Sequence, residues 1–239
     1  MKNLVFIFLL AFIACFSKDR VKYAETRTIS HSVFDTLLHR HVSEGKVDYK
    51  GFQKDSVLFN RYTRILRANH PGENWTKDEK MAYWINAYNA FTIELILKNY
   101  PVKSIKDISS PWDQEFIQIR ENLYSLNNIE HEILRPMGDA RIHFAIVCAS
   151  YSCPELRSEA FRATKLNNQL EEQAKQFVND PNRNKLSENK MEISEIFNWF
   201  SSDFDSLGGV EKFVRKYSEK TLADKIKLSY LDYNWKLNE

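Results

Sequence analysis

Apolar residues recur at the three-to-four-residue spacing of an amphipathic helix in many parts of this chain. Thr76 and Glu79 form a capping box at the start of the longest such stretch, and Tyr100-Pro101 stops it. The predicted helices are His31–Val42, Phe52 to Leu66, Thr76 to Asn99, a short helix carrying His131, a helix after Pro154, Asn167–Val178, Ser194–Phe200, Val210–Tyr217 and Thr221–Ile226.

Strand-like alternation appears between these helices. It predicts strands at Glu115–Ile119, Leu123–Leu126, Arg141–Cys148 and Leu228–Leu231, and a hairpin over Lys185–Ile193. Arg141–Cys148 ends in a purely apolar run, so we expect a central strand there, followed by a helix that Pro154 opens. The mixture predicts an α+β fold, with helices packed around a small, mostly antiparallel sheet in a single domain of residues 30–239.

The first residues have a different character. Leu4 to Cys15 is an apolar run of twelve residues. As a helix it would rise about 18 Å, against a hydrocarbon core of about 30 Å. The run is too short to span a bilayer comfortably and fits a signal peptide over residues 1–14. Ordinary cleavage and a buried N-terminal helix are the alternatives.

The end of that run resembles a bacterial lipoprotein cleavage site. In Ala14-Cys15 the cysteine would be lipidated and would become the new N-terminus, followed by a polar tether over residues 15–29. Acyl chains on Cys15 would hold the protein on a membrane. We therefore expect an exported protein of the cell envelope, facing the periplasm and anchored by lipid.

Composition excludes several functional classes. The formal net charge is +2 and there is no long basic run, so nothing favours a nucleic-acid partner. The chain has no glycine-rich phosphate loop and no His-x₃-His or Cys-x₂-Cys spacing, so we expect neither a nucleotide cofactor nor a metal. Sixteen Phe, eleven Tyr and five Trp predict a core built on aromatic rings.

Four residues form the strongest candidate for chemistry: Cys148, Cys153, His131 and His143. Cys153 is expected at a strand-to-helix junction, where the helix dipole would favour the thiolate. A nearby imidazole would activate it further, and we expect His131 rather than His143 in that role, because a central strand tends to bury its side chains. The order is unusual, since papain-like and transglutaminase-like enzymes place the cysteine before the histidine.

A bridge between the two cysteines is the alternative. Cys148 and Cys153 are separated by four residues that include a turn, so a structural disulfide is open, as are reduced and buried thiols. Each histidine also has an ordinary interpretation, His143 as a hydrogen-bonded core residue and His131 as a capping or surface residue.

Polar side chains elsewhere could complete such a site. Asn86, Asn89 and Glu130 are candidates for the group that orients an imidazole. Asn86 and Asn89 are three residues apart and share one face of an aromatic helix, which predicts a buried polar network or the wall of a site. Arg141 lies in the same sequence motifs and is a further candidate.

Several stretches resemble the protein family known as domain of unknown function 547 (DUF547). The resemblance extends over about residues 33 to 238 and in the same order. It is carried by Val47-Asp48-Tyr49, Tyr83-Trp84-Ile85-Asn86-Ala87-Tyr88-Asn89-Ala90, Tyr124 to His131 with Leu134-Arg135, Asp139 to Pro154, and Tyr230 to Asn238. The family's biochemistry is unsettled, so the resemblance implies a domain and not a reaction.

Two classes of function remain open from the sequence. The first is a thiol-dependent hydrolase or acyltransferase that acts on an envelope peptide or acyl group. The second is a non-catalytic binding or scaffold domain with a structural disulfide, which recognises a peptide or glycan through an aromatic cleft.

Overall fold

Helices and short strands make up the regular structure of residues 20–239, the part of the chain that this computed structural model describes. The predicted signal peptide and the lipidation site Cys15 lie outside the described residues. The α-helices are α1 Ser32–His41, α2 Tyr49–Lys54, α3 Ser56–Ala68, α4 Lys77–Asn99, α5 Leu166–Asn179, α6 Ile196–Trp199 and α7 Val210–Tyr217. The strands are β1 Val42–Ser43, β2 Lys46–Val47, β3 Ile117–Ile119, β4 Asn122–Tyr124, β5 Lys185–Ser187, β6 Lys190–Ser194 and β7 Lys227–Leu231.

The helix α4 lies at the centre of the larger hydrophobic cluster. The predicted capping box is confirmed, because the Thr76 hydroxyl accepts from the Glu79 N–H and the Glu79 carboxylate accepts from the Thr76 N–H. Residues 81–93 of α4 are buried without interruption, which is typical of a helix surrounded on all sides. No helix within residues 20–239, α4 included, has the length and apolarity needed to cross a bilayer.

A second cluster of aromatic rings fills the space between α5, α6 and α7. Phe144 lies 5.5 Å from Phe197 and 5.5 Å from Phe213, measured between ring centroids. Such ring pairs stabilise a core beyond the area that they bury. The aromatic core expected from composition is therefore present, in two clusters.

The strands of residues 20–239 form three small sheets. β1 pairs with β2 and β3 with β4, both antiparallel, and the predicted hairpin of β5 and β6 adds β7 alongside β6 in parallel. With helices predominating and three of the four strand pairs antiparallel, the predicted α+β class is confirmed.

The expected central strand at Arg141–Cys148 is wrong. Residues Ala140–Phe144 form a 3₁₀-helix, which the Asp139 carboxylate caps by accepting from the Arg141 N–H. Beyond it the Asn89 side chain accepts from the Val147 N–H and donates to the Ala145 carbonyl, both at 2.9 Å. A buried backbone must find hydrogen-bond partners, and here an asparagine supplies them in place of a neighbouring strand.

The helix expected after Pro154 is also absent, since residues 154–160 form no helix or strand. Side chains from α5 again satisfy this backbone, Gln173 donating to the Glu155 carbonyl and Gln169 to the Ala160 carbonyl, each at 3.0 Å. Cys153 therefore does not face a helix N-terminus, and the helix-dipole argument for its thiolate fails.

The segment Thr221–Ile226 was predicted as a helix, and this prediction is wrong as well. Its carbonyl oxygens point to Arg215 of α7, which donates to Leu222 at 3.2 Å and to Ala223 at 2.7 Å. Carbonyls taken up by a guanidinium are not available for helical hydrogen bonds.

Residues 20–31 contain no helix or strand but hydrogen bond to the rest of the domain. The Asn122 side chain donates to the Val21 carbonyl and accepts from its N–H, and the Trp75 indole donates to the Thr26 carbonyl at 3.0 Å. The part of the expected tether that the structure describes is thus attached to the domain surface.

Candidate functional site

A cleft of about 210 Å³ contains five of the eight predicted site residues of the domain. Glu130, His131, His143, Cys148 and Cys153 all line it. The first two come from a π-helix, Asn128–Leu134, a rare form that occurs frequently at functional sites. His143 comes from the 3₁₀-helix Ala140–Phe144, and the two cysteines come from the irregular segment after it, whose backbone bonds to Asn89.

Asn86, Asn89 and Arg141 do not line the cleft. Asn86 donates to the Phe161 carbonyl at 2.8 Å and accepts from the Phe161 N–H at 2.9 Å. Asn89 binds the backbone in the same way, donating to the Ala145 carbonyl and accepting from the Val147 N–H. The asparagines thus form the buried network that was one of the two sequence predictions for them. Arg141 forms ion pairs with Asp139 and Glu171, and its contact with Asp139 raises the pKa of the guanidinium.

The two cysteines are joined in a disulfide, with their Cα atoms 6.3 Å apart. Cys153 is 3% exposed, whereas Cys148 is partly exposed. The Tyr233 hydroxyl donates to Cys153 Sγ at 3.2 Å and lies 3.3 Å from Cys148 Sγ, and the Cys148 N–H donates to Cys153 Sγ at 3.0 Å. Within residues 20–239 the hydrogen bonds of the two sulfurs involve Tyr233, Ser150 and this amide, and not an imidazole.

His143 is buried and held on both sides. Its Nε2 is 2.7 Å from Asp203 Oδ2, and its ring stacks on Phe200 with centroids 4.0 Å apart. Burial lowers the pKa of His143 to about 4, while the bidentate ion pair with Arg135, followed by the bond to His143, lowers that of Asp203 to about 2. Asp203 is therefore charged and His143 neutral at pH 7, which assigns the proton to Nε2 and leaves Nδ1 as an acceptor.

Glu130 faces that acceptor from the π-helix. Its Oε1 lies 4.0 Å from His143 Nδ1, too far for a direct hydrogen bond, and its Oε2 accepts from the Tyr88 hydroxyl at 3.2 Å. Burial raises the pKa of Glu130 to about 7. A carboxyl group in a cleft that changes charge near neutral pH is a candidate for binding or proton transfer.

His131 takes a different position from the one expected. It is exposed at the edge of the cleft, and its Nδ1 is 2.8 Å from Arg135 Nη1. Partial burial, followed by the charge of Arg135, lowers the pKa of His131. The reason for preferring it over His143 assumed a central strand at His143, and that strand is absent.

An aromatic cleft was one of the expectations from the sequence, but neither the residues of its wall nor Asp203, the acidic partner of His143, were named there. Tyr233 and Trp235 lie in the closing sequence motif, so the motif could have suggested them, whereas no local pattern pointed to Trp112, Trp199 or Asp203. The rings of Trp199 and Trp235 stack with centroids 5.7 Å apart, and Trp199 is 47% exposed. The wall consists of Tyr88, Trp112, Trp199, Phe200, Tyr233 and Trp235.

No metal cluster accompanies these groups. Among residues 20–239, no three His, Cys, Asp or Glu side chains lie close enough together to hold an ion.

Among known proteins, one family model matches part of this chain. A family model described as "Protein of unknown function, DUF547" matches residues 72–178. No curated protein and no solved structure matches the chain. The matched region contains Glu130, both histidines and both cysteines of the cleft, while Asp203 and four of the six rings of the aromatic wall follow it. The resemblance seen in the sequence motifs is therefore confirmed over residues 72–178, where the chain is similar to the DUF547 family.

Proposed function

We propose that this protein is a binding module whose aromatic cleft holds one uncharged ring that carries a hydroxyl or amide group. The ring would belong to a peptide or glycan of the cell envelope. The observation that carries the proposal is that six aromatic rings line one cleft together with Glu130 and His143. Ligand sites are predominantly apolar with a few convergent polar groups, and this cleft has that composition.

The size and shape of the cleft favour a single ring. Its volume of about 210 Å³ is below the range of roughly 300–1,000 Å³ typical of sites for drug-sized ligands. Trp199 contacts both Tyr233 and Trp235, with centroids 4.8 and 5.7 Å away, so the three rings support one another. Rings that are already packed lose little conformational entropy when a ligand stacks on them.

The polar side of the cleft selects for a hydrogen-bond donor. His143 Nδ1 is an acceptor because the proton lies on Nε2, and Glu130 Oε1 lies 4.0 Å from it. A ligand hydroxyl or amide between them could donate to the imidazole and bond to the carboxyl as well. A ligand anion would instead face Glu130 and is disfavoured above its pKa of about 7.

A thiol-dependent hydrolase or acyltransferase is the second candidate. The observation in its favour is that both cysteines and both histidines line one cleft. The bridge removes the nucleophile, so this activity requires the reduced protein. Turnover of p-nitrophenyl acetate should then appear with dithiothreitol and vanish in Cys153→Ser; equal rates with and without reductant would reject the thiol mechanism.

Calorimetric titration of the oxidised protein tests the binding proposal. Phenol and N-acetylglucosamine serve as probes for an aromatic ring and a sugar ring, and whichever binds identifies the ligand class. Trp199→Ala should weaken binding about tenfold, since interface aromatics contribute 1–2 kcal/mol or more. Leu207→Ala, at a 45% exposed residue outside the cleft, is the matched control. Absence of heat with both probes, or unchanged affinity in Trp199→Ala, would overturn the proposal.

The same proposal includes export and a lipid anchor at Cys15. The apolar run that ends at Ala14-Cys15 supports it. Mass spectrometry of the native N-terminus should find a chain that begins at an acylated Cys15. A mature chain that begins downstream without acyl mass would contradict the anchor but not the binding cleft.

A further inference from the structure

We propose that the Cys148–Cys153 disulfide is a thiol–disulfide exchange site, with a small thiol or a peptidyl cysteine as its co-reactant. This activity goes beyond the binding of a ring and requires neither the aromatic ligand nor hydrolysis. Both cysteines line the cleft and Cys148 is partly exposed, so an incoming thiolate can reach the bridge without unfolding of the domain.

The two sulfurs are not equivalent. Cys148 is partly exposed, whereas Cys153 is 3% exposed beneath it. Exchange requires the attacking thiolate to reach one sulfur along the axis of the bond, and access then decides which sulfur is attacked. The geometry therefore assigns Cys148 as the sulfur that is attacked and Cys153 as the leaving group.

Cys153 is also the sulfur that is prepared to carry a negative charge. The Cys148 N–H at 3.0 Å and the Tyr233 hydroxyl at 3.2 Å both donate to Cys153 Sγ. Hydrogen bonds to an ionised acceptor are roughly twice as strong as those between neutral groups, so both contacts strengthen when the thiolate forms. A better-stabilised leaving thiolate departs faster.

A thiolate R–S⁻ attacks Cys148 Sγ, the bond between Cys148 and Cys153 breaks, and its electron pair leaves with Cys153 as a thiolate. The product is a mixed disulfide between R and Cys148. A second thiolate R–S⁻ then attacks the R sulfur and releases R–S–S–R and the Cys148 thiolate. The co-reactant is oxidised and the protein pair is reduced to a dithiol.

Single-cysteine variants of the full chain test the assignment. Trypsin cleaves after Arg141 and Arg157, so residues 142–157 form one peptide that excludes Cys15. With glutathione disulfide, Cys153→Ser should acquire a glutathione adduct at Cys148 at least about tenfold faster than Cys148→Ser acquires one at Cys153. Equal rates, or adducts only in urea, would overturn the proposal and leave a structural disulfide.

A second comparison keeps the bridge intact in case the serine variants fail to fold. Tyr233→Phe removes one donor to Cys153 and should slow reduction of the oxidised protein by glutathione about threefold or more. Tyr230→Phe, at a 37% exposed tyrosine of β7, is the control and should leave the rate unchanged. A bridge that glutathione reduces equally fast in all three proteins would refute the role of Tyr233 and the leaving group assigned to Cys153. These assays contain no ring ligand, so their outcome does not depend on whether the cleft binds a ring.

Discussion

Replacing the Glu130 carboxyl by an amide should stabilise the protein, and the increase in stability should be larger at alkaline pH than at acid pH. Burial raises the pKa of Glu130 from 4.5 to about 7. A raised folded-state pKa means that the stability associated with the protonated form is fully present below about pH 4.5 and is lost as the pH rises through 7. A pKa raised from 4.5 to about 7 corresponds to a free energy of about 3 kcal/mol.

Glu130→Gln never ionises and keeps an oxygen that can accept from Tyr88, which now donates at 3.2 Å. The wild type has already lost part of the stability associated with protonated Glu130 at pH 5, and it has lost nearly all of it at pH 8. The gain in free energy of unfolding from Glu130→Gln should therefore be about 2 kcal/mol larger at pH 8 than at pH 5. The pKa of His143, which burial lowers to about 4, has the opposite sign: its contribution is present above pH 6.5 and is lost as the pH falls through 4. It is common to both proteins and largely cancels in the difference.

Urea unfolding at both pH values measures this difference. Glu188→Gln is the matched control, because Glu188 is exposed in the turn between β5 and β6 and its removal relieves no burial penalty. A difference between Glu130→Gln and the wild type that is the same at pH 5 and pH 8 would refute the reasoning, since it would mean that Glu130 does not titrate with a raised pKa.

Three further predictions concern contacts that stabilise the domain. Asn89→Ala should lower the free energy of unfolding by about 2–4 kcal/mol in urea, because the Val147 N–H and the Ala145 carbonyl lose their partner; a midpoint as unchanged as that of exposed Asn198→Ala would contradict this. Reduction of the Cys148–Cys153 bridge should cost about 2 kcal/mol, since it closes only a short loop, and identical thermal midpoints with and without dithiothreitol would exclude a stabilising role. Arg215→Met should make residues 218–226 sensitive to limited proteolysis, because their carbonyls lose the guanidinium, whereas cleavage that matches the wild type would show that other contacts hold the segment.

Local sequence signals determined the regular elements well. The capping box of Thr76 and Glu79, the amphipathic spacing of α5 and the hairpin of β5 and β6 all specify structure through residues only a few positions apart. Such interactions form largely within one element, so a single sequence is sufficient to predict them.

Only the tertiary structure decided the backbone around the cysteines. The apolar alternation of residues 141–148 fits a strand, but a strand needs a neighbour, and Asn89, more than fifty residues earlier, satisfies the backbone instead. Pro154 similarly permits a helix, but Gln169 and Gln173 of α5 take up the carbonyls of the segment that follows. Long-range side-chain contacts of this kind leave no periodicity in the sequence.

The residues of the cleft were also predicted in part by the sequence and decided in part by the tertiary structure. The types of its reactive residues and their gathering into motifs were visible in the sequence, and five of eight candidates lie in one cavity. The bridge was one of the alternatives that the sequence left open. The protonation of Glu130 and the orientation of His143 were not visible, because each depends on burial or on a distant partner such as Tyr88 or Asp203. The sequence thus determined which chemical groups are available, and the fold decided their charge and their partners, because both depend on how completely the folded chain excludes water.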